Sequence, residues 1–107
     1  LLELVVQRLK TNNYEVVSAR DGVEALEKTS AHNPDLIILD IKMAQMDGYT
    51  TLLRLKADEK TKSIPVIILT AYDKMKELFE LEGIADYIVK PFNEQDFLLR
   101  VSRALKR

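Results

Sequence analysis

The chain contains no cysteine. This absence excludes disulfide bonds, thiolate catalysis and cysteine-ligated zinc, although it favours a reducing compartment only mildly. The chain also lacks an apolar stretch long enough to cross a bilayer, and its first residues lack the basic start and cleavage site of a secretory signal. We therefore expect a cytoplasmic protein that does not span a membrane.

An excess of charge of one sign is missing as well. Sixteen Lys and Arg residues against seventeen Asp and Glu residues give a net charge of -1, which supplies no global field for attracting nucleic acid. Direct nucleic-acid binding is therefore not expected of this domain. The sequence also shows no repeat, linker or low-complexity tract, and 47% of its 107 residues are hydrophobic. Residues 1–107 thus predict a single domain with its own core.

Three short apolar runs are present, and each ends at a polar residue. Residues 36–39 end at Asp40, residues 66–69 at Thr70, and residues 87–89 at Lys90. Such runs between helical stretches predict parallel strands that are buried on both faces. Because the carboxyl ends of parallel strands form one ligand-binding edge, an acid, a hydroxyl and an ammonium would meet there. These groups suit a carboxylate nucleophile, a hydroxyl donor and a cation that binds phosphoryl oxygens.

Helices and one more strand are predicted around these runs. Apolar residues at helical spacing open the chain, and residues 14–19 predict a strand. Further helices are predicted after a capping box at Asp21, after the loop that follows Asp40, from Lys74 to a C-cap at Gly83, and after an N-cap at Asn93. The alternation of strands and helices implies an α/β fold with a doubly wound parallel sheet.

Residues 40–48, 69–71 and 86–92 together resemble the receiver domain of two-component response regulators. The order and approximate spacing of all three segments match, and residues 21–26 and 33–40 are similar to the same family. The resemblance covers essentially the whole chain. It implies a flavodoxin-like receiver fold in which residues 1–107 form a single receiver domain.

The resemblance also implies a role for each residue at the sheet edge. Asp40 would accept a phosphoryl group from a histidine kinase or a phosphotransfer protein, and Lys90 would pair with a phosphate oxygen. Thr70 would swing toward the phosphate and Tyr87 would turn inward behind it, although Tyr87 also fits a core aromatic with its hydroxyl at the rim. The family further implies a cis peptide bond before Pro91. An acyl phosphate adds roughly two negative charges, so it can capture a nearby hydroxyl and ammonium.

The family's metal site is incomplete in this sequence. Receiver domains normally begin with an apolar strand that ends in an acidic pair, and those carboxylates hold Mg²⁺ beside the acceptor aspartate. The chain contains neither, which leaves Asp40 and the backbone carbonyl of Lys42 as the expected ligands. Mg²⁺ prefers several oxygen ligands in octahedral geometry. We therefore expect Mg²⁺ binding to be weak or absent in this chain.

The missing first strand also matters for the sheet, since it is central in the order 2-1-3-4-5. We expect the natural protein to have an upstream segment. Without that segment, either the strand at residues 14–19 closes against the Asp40 strand, or another chain fills the position by strand addition or swapping. The second possibility would give a homodimer or a strand-swapped partner.

Two other functions remain open. The missing acids make a degenerate receiver, used as a docking or dimerisation module without phosphorylation, a serious alternative. An aspartate-nucleophile phosphatase also starts from an aspartate at a strand end, but it usually carries a second acid two residues later, where this chain has Lys42. The leading prediction is a phosphorylation-dependent switch that catalyses only its own phosphorylation and dephosphorylation and is not an enzyme.

Overall fold

Three parallel strands form the sheet in a computed structural model, which describes residues 2–41 and 46–106. They are β1 (Ile37–Ile41), β2 (Val66–Thr70) and β3 (Asp86–Val89), and they lie in the order β1-β2-β3. The three apolar runs predicted these strands correctly, because side chains buried on both faces give a continuous apolar sequence. All five residues of β2 are buried, as expected for the middle strand.

Five helices connect and flank the strands within the described residues. They are α1 (Leu2–Thr11), α2 (Gly22–His32), α3 (Met46–Ala57), α4 (Lys76–Glu80) and α5 (Glu94–Leu105). None of these helices is long and apolar enough to cross a membrane.

The helices cover both faces of the sheet. On one face, buried residues of α1 and α5 pack against Ile67 and Leu69 of β2 and Ile88 of β3. On the opposite face, buried residues of α3 and α4 pack against β1, Ile68 of β2 and Tyr87 of β3. We call these the α1/α5 face and the α3/α4 face. This arrangement agrees with the predicted doubly wound α/β fold.

Two predicted helix caps are present. The Asp21 side chain accepts a hydrogen bond from the backbone N–H of Glu24 at 2.9 Å, and Glu24 Oε1 accepts one from the backbone N–H of Arg20 at 2.8 Å. The hydrogen bond from Arg20 is the main cause of a lowered pKa at Glu24. Asn93 caps α5 by accepting from the backbone N–H of Asp96 at 3.0 Å. Each cap satisfies a backbone donor that the helix itself leaves unpaired.

The predicted strand at residues 14–19 does not form. A strand requires a hydrogen-bonded neighbour, and residues 15–19 make no backbone-to-backbone hydrogen bond with the described residues. Tyr14 and Val16 instead pack against the α1/α5 face. The prediction that this segment closes against the Asp40 strand is therefore wrong, since within the described ranges β1 pairs with β2 alone. A strand supplied by another chain stays a prediction.

The helix predicted from Lys74 to a cap at Gly83 is shorter than expected. It comprises the five residues Lys76–Glu80, and its C-cap is Leu81. Gly83 has a φ of +78°, a left-handed conformation that favours glycine, and it lies in the turn that leads to β3. The glycine thus lies in the turn between the helix and the strand, two positions beyond the C-cap residue.

Candidate functional site

The three predicted strand ends are neighbours at the carboxyl edge of the sheet. Asp40 lies opposite Leu69, and the next residue of β1, Ile41, lies opposite Thr70. Thr70 lies opposite Val89 of β3, and the backbone N–H of Lys90 donates to the carbonyl of Thr70 at 2.7 Å. The sheet register therefore places Asp40, Thr70 and Lys90 on three adjacent strand tips.

Asp40 and Lys90 form an ion pair across this edge. Lys90 Nζ lies 2.6 Å from Asp40 Oδ1, and the two side chains are 15% and 17% exposed, respectively. They come from the two outer strands, so the long lysine side chain spans the width of β2, a separation of roughly 10 Å between strand axes. The Lys90–Pro91 peptide bond is cis, as the resemblance implied. The partial exposure leaves the carboxylate reachable from solvent.

Thr70 is almost completely buried and lies on the other face of the sheet. Alternation along β2 puts its side chain with Ile68 on the α3/α4 face, while Asp40 shares the α1/α5 face with Leu69. Thr70 is 1% exposed, and its Oγ1 accepts a hydrogen bond from the backbone N–H of Tyr72 at 3.1 Å. Because the oxygen acts as acceptor, the hydroxyl hydrogen can donate to a further group.

Tyr87 is also on the α3/α4 face and points inward. Its side chain is 6% exposed, and its hydroxyl donates to the backbone carbonyl of Tyr72 at 2.5 Å. Burial raises the pKa of Tyr87 above the ordinary value of a tyrosine. The interpretation of Tyr87 as a core aromatic with its hydroxyl at the rim describes this geometry, and its switch role stays a prediction. Thr70 and Tyr87 therefore share one binding partner, the main chain of Tyr72.

The predicted metal ligands do not make a magnesium site in the described part of the chain. Lys42, whose carbonyl was an expected ligand, lies outside the described residues. Among residues 2–41 and 46–106, no group of three or more His, Cys, Asp or Glu side chains is placed to hold a metal ion. Asp40 is one carboxylate, and its Oδ1 already contacts Lys90. Mg²⁺ takes six oxygen donors, so this donor set alone does not fit the ion.

Sequence reasoning gave no role to two residues that border the site. Tyr72 contributes main-chain atoms alone to its bonds with Thr70 and Tyr87, so its side chain carries no signal of that contact. Gly48 packs against Ile41, the residue that follows Asp40, and an added Cβ at Gly48 would lie 2.6 Å from Ile41 Cγ1. Gly48 belongs to residues 40–48, which resemble the family, and this resemblance was the only feature of the sequence that could have indicated its importance.

A doubly wound sheet whose edge carries an Asp–Lys ion pair beside a buried threonine is typical of proteins that bind a phosphoryl group on an aspartate. The family model described as "Response regulator receiver domain" matches residues 1–102. The chain belongs to this family, which is the family that the sequence resemblance predicted.

Similar curated proteins support the assignment. The "DNA-binding dual master transcriptional regulator RpaA" of Synechocystis is 36% identical over 107 residues, which cover 98% of this chain and 44% of RpaA. The regulatory protein PhoP of Bacillus subtilis is 34% identical over 109 residues, which cover 100% of this chain and 45% of PhoP. The chain thus spans less than half the length of these two relatives.

Solved structures confirm the predicted flavodoxin-like receiver fold. The receiver domain of the sensor histidine kinase PA1611 from Pseudomonas aeruginosa, solved with magnesium in its active site cleft, has a TM-score of 0.86 and 25% identity, with 99% of this chain and 88% of that one covered. The chemotaxis protein CheY4 of Vibrio cholerae has a TM-score of 0.83 and 30% identity, with 95% and 87% covered. The chain is therefore a receiver domain of the kind found in response regulators and histidine kinases.

Proposed function

We propose that this receiver domain is a phosphorylation-dependent switch in which Asp40 accepts the phosphoryl group. The observation that carries the proposal is the contact of Lys90 Nζ with Asp40 Oδ1 at 2.6 Å, in a site where both side chains remain partly exposed. The ammonium is already in the position where negative charge would appear. Preorganised charge of this kind stabilises a transferring phosphoryl group without further rearrangement.

The transfer step follows from this geometry. A carboxylate oxygen of Asp40 attacks the phosphorus of a phosphohistidine on a histidine kinase or phosphotransfer protein. A P–O bond forms while the P–N bond breaks, and the imidazole nitrogen keeps the electron pair and takes a proton from water. Lys90 then pairs with a phosphoryl oxygen, and the hydroxyl hydrogen of Thr70 donates to another.

The switch follows from the bonds that Thr70 already makes. Thr70 Oγ1 is bound to the N–H of Tyr72, whose carbonyl accepts from the Tyr87 hydroxyl. If Thr70 moves toward the phosphate on Asp40, the main chain of Tyr72 follows, and the surface around Tyr87 changes with it. The acyl phosphate supplies roughly two negative charges to bias this movement. The proposed output is therefore a change in partner preference, with no turnover of an external substrate.

Magnesium enters the proposal only because a similar receiver domain binds it. The PA1611 receiver domain holds magnesium in its cleft, whereas residues 2–41 and 46–106 of this chain place no three His, Cys, Asp or Glu side chains together to hold an ion. We propose that this chain binds Mg²⁺ more weakly than a receiver with more carboxylate ligands. The steps above are described through Asp40, Lys90 and Thr70 alone.

A second candidate, a docking or dimerisation module without phosphorylation, is favoured by one observation. No cluster of metal-ligating side chains is present among residues 2–41 and 46–106. Without the ion, phosphoryl transfer to Asp40 would be slow. The phosphatase alternative gains no such support, because the residue two positions after Asp40 is Lys42 and not an acid.

Acetyl phosphate with magnesium, followed by intact-mass measurement, separates these candidates. The switch predicts a stable mass gain of one phosphoryl group that disappears in Asp40→Asn. Steady release of phosphate with no accumulated mass gain would indicate an enzyme, and an unchanged mass without phosphate release would support the docking module. Lys62→Met is the control, since Lys62 pairs with an exposed Glu59 away from this contact, and it should be phosphorylated like the parent chain.

The predicted homodimer or strand-swapped partner needs a separate measurement. Residues 15–19 and the β1 side away from β2 have no ladder partner among the described residues. We propose that a strand from outside the described residues pairs there. Light scattering over a range of protein concentrations tests whether a second copy supplies it, and a monomer at all concentrations would exclude that source.

A further inference from the structure

Tyr49 joins α3 to the turn that follows α4. Its hydroxyl donates to Glu82 Oε2 at 3.2 Å, although the two residues are 33 positions apart in the chain. Glu82 lies between the end of α4 and Gly83, in the turn that leads into β3. Burial, followed by the neighbouring Glu82 charge, raises the pKa of Tyr49. The phenol therefore keeps its proton at neutral pH and can act as the donor.

The ring of Tyr49 is the first of three aromatic rings in contact. Its centroid lies 5.4 Å from that of Phe79, and the two rings are nearly perpendicular at 84°. The centroid of Phe79 lies 6.0 Å from that of Tyr87. The Tyr49–Phe79 pair is edge-to-face, a geometry that attracts beyond the burial of its area, whereas the Phe79 and Tyr87 rings are tilted at 44°. Phe79 is 1% exposed, and its ring contacts both the Tyr49 ring and the Tyr87 ring.

Tyr49 and Tyr87 are also connected to the strand ends of the site. Tyr49 directly follows Gly48, whose missing Cβ makes room for the side chain of Ile41, and Ile41 follows Asp40 in β1. Tyr87 in turn reaches Thr70 through the main chain of Tyr72. A continuous series of contacts through α3 and α4 thus joins the Asp40 strand to Thr70. This connection is additional to the direct pairing of β1 with β2.

We propose that Tyr49 is a positioning residue, which is held by Glu82 and in turn fixes Phe79 against Tyr87. Its effect is to keep Tyr87 inward, bonded to Tyr72, before any phosphate is present. The functional meaning rests on the proposed switch, but the positioning effect itself does not require phosphorylation. Without the hydroxyl, the Tyr49 ring loses its anchor on Glu82, Phe79 gains room to move, and the inward arrangement of Tyr87 becomes less favoured.

The test measures the exposure of the Tyr87 ring in the unphosphorylated chain. The four tyrosines are labelled with ¹³C in the ring, and a soluble paramagnetic chelate reports how often each ring contacts solvent. Loss of one hydrogen bond predicts that Tyr49→Phe raises the outward-to-inward ratio of Tyr87 about fivefold. The paramagnetic relaxation of the Tyr87 signal rises in proportion.

Two substitutions of Glu82 separate positioning from simple packing. Glu82→Ala removes the acceptor and should reproduce the effect of Tyr49→Phe. Glu82→Gln keeps an acceptor oxygen, so it should leave Tyr87 inward as in the parent chain. A purely steric role of the Tyr49 ring predicts no effect from either change, because both leave the ring in place.

Tyr14→Phe is the matched control, since Tyr14 is a partly buried tyrosine that packs against the opposite face of the sheet. It should leave the Tyr87 signal unchanged. The proposal is overturned if Tyr87 stays equally shielded in Tyr49→Phe and Glu82→Ala, or if Tyr14→Phe exposes it as strongly. Repeating the series in Asp40→Asn separates the two proposals, because the effect must persist in a chain that cannot be phosphorylated on Asp40.

Discussion

The two faces of the sheet hold the residues of the site in different ways. On the α1/α5 face, Asp40 and Lys90 meet through one ion pair between side chains that solvent still reaches. On the α3/α4 face, Thr70 and Tyr87 are almost inaccessible, and both bind the main chain of Tyr72. The difference indicates a division of tasks. In the proposed switch, the α1/α5 face would receive the phosphoryl group, and the bonds on the α3/α4 face would carry a change at Thr70 to Tyr87.

The largest expected effect comes from removing one buried aromatic ring from either face. Phe79 and Phe97 are each 1% exposed, and they lie on the α3/α4 and α1/α5 faces respectively. Truncating either to alanine should lower the free energy of unfolding by about 3–5 kcal/mol, measured by urea denaturation. Leu99→Ala, at a half-exposed position of α5, is the control and should cost far less.

The same two variants also test the division between the faces. Only Phe79→Ala should expose the Tyr87 ring to a soluble paramagnetic probe at urea concentrations where the chain remains folded. If Phe97→Ala exposed Tyr87 to the same extent, the two faces would not be separate in the way described above.

A smaller effect is expected from breaking the ion pair. Lys90→Met leaves the Asp40 carboxylate partly buried without its partner, so unfolding free energy should fall by about 1–3 kcal/mol. Phosphorylation by acetyl phosphate should slow at the same time. Lys62→Met removes an ion pair whose carboxylate is 86% exposed, and it should change stability by less than about 0.5 kcal/mol. Equal effects of the two substitutions would argue against a special role for the Asp40–Lys90 contact.

The packing of α3 against β1 is sensitive to one added methyl group at Gly48. In Gly48→Ala, the new Cβ would lie 2.6 Å from Cγ1 of Ile41, which is 3% exposed, so the buried Ile41 side chain would have to shift. Overpacking should outweigh the gain in helix propensity and leave a net loss of about 1–2 kcal/mol in thermal unfolding. Phosphorylation should also slow, since Ile41 adjoins Asp40.

Gly83→Ala provides the comparison for that substitution. A Cβ added at Gly83 would have no neighbour within 4 Å, but the residue has a φ of +78°. Backbone strain alone should therefore lower the free energy of unfolding by about 1 kcal/mol. Phosphorylation should be unchanged in this variant. Normal phosphorylation of Gly48→Ala as well would show that Ile41 does not transmit the crowding to Asp40.

Alkaline pH should slightly reduce the stability of the α3/α4 face. The pKa values of Tyr49 and Tyr87 are both raised by burial, while unfolded tyrosines titrate near pH 10. A pKa that is higher in the folded state means that the folded state holds the phenol proton more tightly than the unfolded state does. The resulting gain in the free energy of unfolding is complete below about pH 10 and is lost as the pH rises through the pKa values of the folded state. Ring ¹³C signals followed against pH would measure both titrations, and midpoints at or below about 10 would contradict the shifts.

The sequence predicted most of the fold because the signals involved are local. The apolar runs before Asp40, Thr70 and Lys90 become the three strands, and Asp21 and Asn93 form the caps that their side chains indicate. Residues 14–19 have a strand-like composition, but a ladder depends on a neighbour that the segment itself does not specify. Burial of Tyr14 and Val16 satisfies the apolar pattern without any pairing.

The site was only partly predictable for a related reason. The parallel topology brings Asp40 and Lys90 to one edge even though 50 positions separate them, and the strand-end rule anticipates that convergence. The contact between Tyr49 and Glu82 follows no periodicity and depends on how α3 packs beside the end of α4. Contacts of this kind appear only when the helices are placed in space.

The linkage at Tyr72 has a consequence for how the domain can vary. Both of its bonds, to Thr70 and from Tyr87, use main-chain atoms, and every amino acid except proline offers the same N–H and C=O. The side chain at this position is therefore free to diversify while the mechanical connection stays intact. If the domain works as the proposed switch, a different side chain at position 72 would alter the surface of the loop while leaving both main-chain bonds in place.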